Sequence, residues 1–343
     1  MESLVPFNNL IDRGANAAVL QAGDIGALIP EDVSSEIMEG VAEKSAALQL
    51  FRHKSMGRAQ TRIPVLSALP TAYFVNGDTG QKQTTDMSWV NVYLNAEEIA
   101  AIIPIPEKVL DDTSYDLWAE IKPWMEEAIA VALDDAIFFG TNKPTNWPAS
   151  IVAGALAAGN NVITTSALDV LGDLNQAMAA VEADGYLPNG YFARIQMRAR
   201  LRGLRDTTRN FLLEPDEVTP VDSPLRISTL WGEKIVYSRA GFAAFATAAG
   251  NYSAITGDFN QGIIGIRQDI TYKMLDQAVL TDGAGAIIYN LPQQDMVAMR
   301  VVARFAFAVP NPVNRLQPLL ANRYPFGYVQ QLAATGGESI LGL

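Results

Sequence analysis

Two segments of alternating polarity flank a long polar stretch, and together they restrict the possible folds more than any other part of the chain. Thr61-Arg62-Ile63-Pro64-Val65-Leu66 reads as an extended strand, and Pro64, which cannot donate to a ladder, confines it to a sheet edge. Ser88-Trp89-Val90-Asn91-Val92-Tyr93-Leu94-Asn95 returns, with Trp89, Asn91, Tyr93 and Asn95 on one face and Val90, Val92 and Leu94 on the other. Between them Asn76 to Asp86 is polar and turn-rich. The reading is a long two-stranded hairpin with a soft tip. Such a ribbon is marginal alone in water, so its apolar and aromatic faces need a surface, and a neighbouring subunit is one candidate.

The remaining chain can supply a core. It has 343 residues, 49% of them hydrophobic and 18% charged, enough for one large domain or two ordinary ones. There is no cysteine, which excludes disulfide frameworks, thiolate zinc sites and thiol nucleophiles. The single histidine, His53, lies in Phe51-Arg52-His53-Lys54 and reads as part of a solvated basic turn, because a metal site or a Ser-His-Asp device would need further partners. No cationic leader precedes an apolar segment at the N-terminus. Apolar runs such as Ile99-Ala100-Ala101-Ile102-Ile103 are far short of the roughly 20 residues that span a bilayer. The expectation is a soluble chain made inside the cell, without a membrane partner.

The net charge of −12 is unevenly placed. Residues 1–190 carry 10 basic and 25 acidic side chains, and residues 191–343 carry 15 and 12. Phosphate binding needs clustered cations, so a dedicated nucleic-acid role is disfavoured for the first half. The one basic cluster is Arg194, Arg198, Arg200, Arg202, Arg205 and Arg209, with no aromatics interleaved for base stacking. It reads as a solvated or subunit-facing helix, with loose contact to packaged DNA as the other reading.

Along the chain no internal repeat appears. Residues 1–25 look like an arm, and Pro30 opens a helix with acids in its first turn and a partial apolar stripe at Val33, Ile37, Val41 and Leu48. Residues 99–109 form another edge-strand-like segment. Thr113 with Asp116 makes a capping-box-like start for a helix that runs to Phe139 and closes at Gly140, roughly 40 Å long. Its buried stripe is Trp118, Ile121, Met125, Ile129, Ala132, Ala136 and Phe139. Pro123 interrupts it and predicts a kink near Lys122. A Pro-, Asn- and Trp-rich loop (141–150) follows. A further helix is expected from Thr165 to near Gly185, carrying Leu168, Leu171, Leu174, Met178 and Val181, and a late strand from Met296 to Phe307 carries Arg300 and Arg304. Helices and strands are segregated rather than alternating, which is an α+β pattern.

Taken in order, several segments resemble the tailed-bacteriophage major capsid family with the Hong Kong 97-type fold. They are Leu28-Ile29-Pro30-Glu31-Asp32-Val33; Ile63-Pro64-Val65-Leu66 with Pro70-Thr71-Ala72-Tyr73-Phe74-Val75; Glu97 to Asp112; Ala136-Ile137-Phe138-Phe139-Gly140-Thr141-Asn142; and Trp231-Gly232-Glu233-Lys234-Ile235-Val236 with Thr256 to Gly262. The resemblance covers roughly residues 25 to 310. It implies an N-terminal arm and first helix (1–55), an extended loop (56–92), a peripheral domain with a long spine helix (93–162 and 291–310) and an axial domain (163–290 and 311–343). It also implies a non-enzymatic subunit that assembles with itself as pentamers and hexamers into an icosahedral virion head around double-stranded DNA. Assembly would take place in the host cytoplasm, with portal and decoration proteins as further partners. The first matching motif starts at Leu28, which suggests a separate scaffold protein or none. Candidate interface residues are Tyr73, Phe74, Trp89 and Tyr93, with Lys82 at the loop tip.

Catalytic chemistry finds little support beside this. Asp111-Asp112, Glu126-Glu127 and Asp134-Asp135 are adjacent pairs whose members point apart on a helix, so each reads as a solvated face rather than a convergent acid–base site. Gly77-Asp78-Thr79-Gly80 and Gly283-Ala284-Gly285 lack the lysine and spacing of a phosphate loop and read as turns. No catalytic, cofactor or metal-binding residue is assigned. Some members of the family join a loop lysine to a neighbour's asparagine. Here Lys82 with Asn311 or Asn314 would be the pair, but no glutamate lies near those asparagines in sequence. The competing readings are an encapsulin-like shell enclosing a cargo enzyme, from the same fold, and a carboxylate hydrolase.

Overall fold

Residues 45–75, 80–112, 117–164, 169–205, 229–238 and 251–331 are described by a computed structural model of the chain. The expected arm, the helix opening at Pro30 and the capping box at Thr113 lie outside them. The described residues belong to one compact unit, Ala42–Leu343.

Three anchors thread the entering chain through the body. The first is a short helix, α1 (Ala46–Leu50), capped by Ser45. The second is Phe51, which sits among Phe138, Phe259, Phe307 and Phe326 with ring centroids 5.2–5.8 Å apart. Burying one such ring contributes about 1.5–3 kcal/mol. Gly262 is required beside it, since a Cβ there would stand 2.3 Å from the Phe51 ring. The third is strand β1 (Arg52–Ser55), which pairs in parallel with β10 (Ile263–Leu275). His53 therefore lies on an exposed edge strand rather than in a turn.

β10 begins a four-stranded sheet in the order β1, β10, β13 (Met296–Ala308), β4 (Glu97–Pro106). β4 holds the edge as its prolines require, with Pro104 opposite Ala298 and Pro106 opposite Met296. Arg304 of β13 forms a two-pronged ion pair with Glu98 across the ladder. Beyond β4 come α2 (Glu107–Asp112) and the long helix α3 (Leu117–Asp134), which continues through Pro123 and is about 27 Å long. A π turn, Asp135–Phe139, extends α3 and ends on Gly140 at φ 83°, where the Gly140 N–H donates to Asp135 O. Met125, Ile129 and Leu133 are buried along α3, and Ala136, Ile137 and Phe138 follow in the π turn.

The second sheet has six strands. Its order is β5 (Asn161–Thr164), β14 (Phe326–Gln331), β9 (Asn251–Gly257), β6 (Gly190–Arg194), β8 (Glu233–Ser238), β7 (Thr229–Leu230). Helix α4 (Ile151–Ala158) precedes β5, and α5 (Val170–Ala183) packs on this sheet through Val170, Leu174, Ala177 and Val181. α5 starts at Val170, where the Asp169 side chain accepts from the Gly172 N–H and sets the first turn; the expected start at Thr165, with Leu168, lies outside the described residues. α6 (Ile195–Gly203) carries Arg198, Arg200 and Arg202 of the arginine cluster, with Arg194 at its N-cap and Arg205 just beyond its end.

The division expected at residues 290/291 does not fall between the sheets. β10, placed in the axial segment 163–290, is hydrogen-bonded to β13 of the peripheral segment from Ile263↔Ala308 to Leu275↔Ala298. The physical reason is that a strand of 13 residues must satisfy its backbone groups along a partner of similar length.

Candidate functional site

The expected hairpin is present as β2 (Gln60–Ala68) and β3 (Ser88–Asn95), paired antiparallel from Gln60↔Asn95 to Ala68↔Ser88 with an irregularity after Leu66. Its root is anchored by its own chain. Leu94 is fully buried, and with Met56, Ala306 and Ala308 it forms a small core joined by Ile63 and Val92. The 141–150 loop, which sequence reasoning treats as a connection, clamps the same root. Trp147 Nε1 donates to Asn95 O at 3.0 Å, and Asn95 Nδ2 donates to Asn146 O at 3.1 Å. Asn146 Nδ2 in turn donates to Glu97 Oε1 at 2.9 Å, so the step from β3 into β4 is fixed.

Away from the root, cover runs out. Trp89 is 60% exposed, and Val90, Tyr93, Met87, Val75 and Tyr73 are exposed too, with Phe74 bare of contact. Lys82 is also exposed. Tyr73 Oη donates to Gln83 O at 2.9 Å and holds the two sides of the loop together. All five candidate residues thus have exposed side chains, Trp89 and Tyr93 on β3 and Tyr73, Phe74 and Lys82 on the loop beyond the paired strands. Residues 76–79 of the tip lie outside the described residues.

One further segment supports the hairpin. Val313 N donates to Leu66 O at 3.0 Å, and Arg315 Nη2 donates to Pro70 O at 3.2 Å. This segment is pinned by a partly buried polar network. Tyr186 Oη donates to Asn311 Oδ1 at 2.6 Å, and Asn311 Nδ2 donates to Arg323 O at 2.9 Å. Asn314 Nδ2 donates to Asp184 O at 2.6 Å, and Asn314 Oδ1 accepts from Gln317 N at 2.7 Å. Gly185, at φ 83°, leaves room for Asn314, which would stand 3.0 Å from a Cβ there. Asp184 Oδ2 accepts from both Asn160 Nδ2 and Tyr324 N. Burial raises the Tyr186 hydroxyl above its ordinary range, with Arg323 acting in the opposite direction. Both asparagines are therefore engaged by donors and acceptors of their own chain.

A sequence model described as the phage capsid family matches residues 26–317. The chain belongs to the phage capsid family. A relative described as a major capsid protein, from Staphylococcus phage 80alpha, is 27% identical over 285 residues, covering 81% of this chain and 80% of its own length. Solved chains from Microbacterium phage Oxtober96 and Mycobacterium phage Bobi are each 32% identical, with TM-scores of 0.74 and 0.75; each match covers 92% of this chain and 100% of theirs. The capsid of a native GTA particle, at 17% identity and TM-score 0.62, shares the fold. The capsid protein has the Hong Kong 97-type fold, as its sequence segments imply, and is a structural component of a virion shell.

Among the described side chains of this capsid protein, the pairs Glu126-Glu127 and Asp134-Asp135 turn to different partners, while the side chains of Asp111 and Asp112 lie outside those described. Asp134 is buried rather than solvated: its Oδ1 accepts from Ser45 Oγ at 2.6 Å and Ala47 N at 3.0 Å, and its Oδ2 from Ala46 N at 2.7 Å. It fastens the start of α1 to the end of α3. Burial pushes the Asp135 carboxyl up to about 6, and its Oδ1 has no hydrogen-bond partner among the described residues. Glu126 accepts from the Tyr272 hydroxyl, beside Lys122 over the same ring. The Gly283–Gly285 segment is a turn closed by Asp282 Oδ1, which accepts from the N–H groups of Ala284 and Ala286. In α6 Met197 and Leu201 are the buried residues, while Arg202, and Arg205 just after the helix, are exposed; Arg209 lies outside the described residues.

Asp134 was read from the sequence as part of a solvated face, and Arg323 was not singled out. Their partners lie 88 residues away in one case and in an irregular loop in the other, so no local pattern marks them.

Proposed function

We propose that this chain is the major capsid protein of a tailed phage, assembling as pentamers and hexamers into an icosahedral head around double-stranded DNA. In this reading the hairpin of each copy lies across the next, with Tyr73, Phe74, Lys82, Trp89 and Tyr93 at the contact. One observation carries it: the hairpin is fixed at its root by Leu94, Asn95 and Trp147 but leaves its distal apolar side chains uncovered. A projection that is anchored at one end and apolar at the other fits a subunit that finishes burying its surface on a copy of itself. Family membership and the phage relatives support the virion over an encapsulin-like compartment.

Finer features belong to the same proposal. Assembly takes place in the host cytoplasm, with a separate scaffold or none and with portal and decoration proteins as partners. Contact with DNA is non-specific, through exposed cations such as Arg202 and Arg205 on the arginine-bearing segment. The subunit acts by position and contact, without catalytic chemistry of its own. Replacing residues 77–85 by a short Gly-Ser turn tests the reading. The body should keep its folded spectrum while the yield of shells by microscopy falls sharply, and Trp89→Ala should lower it more mildly. Normal shells of unchanged thermal stability from the shortened chain would contradict the reading.

A further inference from the structure

We propose that Leu187, Leu316, Leu319 and Leu320 form the platform on which a neighbouring copy's hairpin rests, receiving its exposed distal side chains Phe74 and Trp89. This rests on the reading that the hairpin lies across a second copy, and adds the surface that receives it.

Single exposed leucines are ordinary. Here three fall within five residues, Leu316-Gln317-Pro318-Leu319-Leu320, at 65%, 62% and 63% exposure and with no charge among them. Leu187 is next to Tyr186, whose hydroxyl donates to Asn311 and to Pro312 O. The backbone below the leucines is held firmly. The Arg323 guanidinium, nearly fully buried, donates to Pro318 O at 2.7 Å, Asn311 O at 3.2 Å and Gln317 O at 3.4 Å. Taking a cation out of water is costly. In this case it shapes a loop whose leucines are left mostly exposed on their own chain. A surface fixed in advance loses little entropy when a partner arrives.

The occupant follows from what the platform adjoins. Val313 and Arg315, just before the leucines, already hold the chain's own hairpin at Leu66 and Pro70. The platform therefore begins where that support ends, yet its leucines and the hairpin's Phe74 and Trp89 are all exposed within one chain. Two different apolar surfaces on one chain, neither covering the other, match in a head-to-tail contact, and such contacts close into rings when the rotation allows. Tyr73-Phe74-Val75 and Met87-Ser88-Trp89-Val90 carry no charge, as the leucine surface requires. The rival receiver is the ribbon of β11 (Val279–Thr281) and β12 (Ile287–Asn290), with Val279, Ile287, Ile288 and Tyr289 exposed. It is an isolated two-stranded ribbon, a poor fixed surface.

The absence of cysteine makes the test direct. Chains bearing Phe74→Cys and chains bearing Leu319→Cys are co-assembled in equal amounts and oxidised. The expected result is a disulfide-linked dimer on a non-reducing gel, absent when either variant is assembled alone. No dimer with Leu319→Cys overturns the proposal. If Phe74→Cys then pairs with Ile287→Cys, the hairpin reading stands and only the platform falls. If it pairs with neither and the chain shortened at residues 77–85 still forms shells, both fall. Should a cysteine variant not assemble, hydroxyl-radical footprinting of the unsubstituted chain decides. Leu316, Leu319 and Leu320 should lose reactivity several-fold on assembly, and unchanged reactivity overturns the assignment.

Discussion

Asp134 and Asp135 are neighbours in sequence with opposite roles. Asp134 satisfies three donors at the start of α1. Asp134→Ala would leave Ser45 Oγ and two N–H groups without that partner, at a cost of about 1–3 kcal/mol. Asp134→Asn, which keeps an acceptor, should cost less. Thermal unfolding of the unassembled protein checks the order. Asp135 is raised by burial from 3.8 to about 6. Between those values the folded chain holds a proton that the unfolded chain has released, so this group's contribution to stability falls as pH rises through about 4 to 6. Asp135→Asn should raise the unfolding midpoint at pH 7, leave it near the parent's at about pH 4, and flatten the slope between. A variant no more stable than the parent at pH 7 would show that Asp135 finds a partner or solvent.

For single elements, legibility followed locality. Period-2 alternation placed β2 and β3 within two residues of their ends, because side-chain direction in a strand is set by its own backbone. The stripe of α3 was legible at Met125, Ile129 and Ala136 and missed in between. Leu133, four residues after Ile129, is buried in place of the expected Ala132; Ala136 is buried as expected, and the π turn brings Ile137 and Phe138 in beside it. The clamp of Asn146 and Trp147 on Asn95 joins residues some 50 apart and left no local mark. The engagement of Asn311 and Asn314 within their own chain bears on the loop lysine, since an amide holding a turn through both its atoms is poorly placed to accept Lys82. Boiled particles should give a single band near 37.1 kDa on a denaturing gel, unchanged by Lys82→Arg. A ladder of multimers that the substitution abolishes would contradict this.

On the scale of the whole molecule, the α+β class and the family were readable because several weak segments occur in the right order. The division at residue 290 was not, because β10 reaches back to β13 and β1 and no composition change marks that pairing. The result is a body with a completed core and at least two uncovered apolar regions, the distal hairpin and the leucine loop. Such a body should not persist alone at working concentrations. The measurement that tests this most directly is sedimentation of the purified chain across concentration and salt, with negative-stain microscopy of the fractions. The account predicts pentamers, hexamers or closed shells. Monomers alone under every condition, with a folded spectrum, would contradict it.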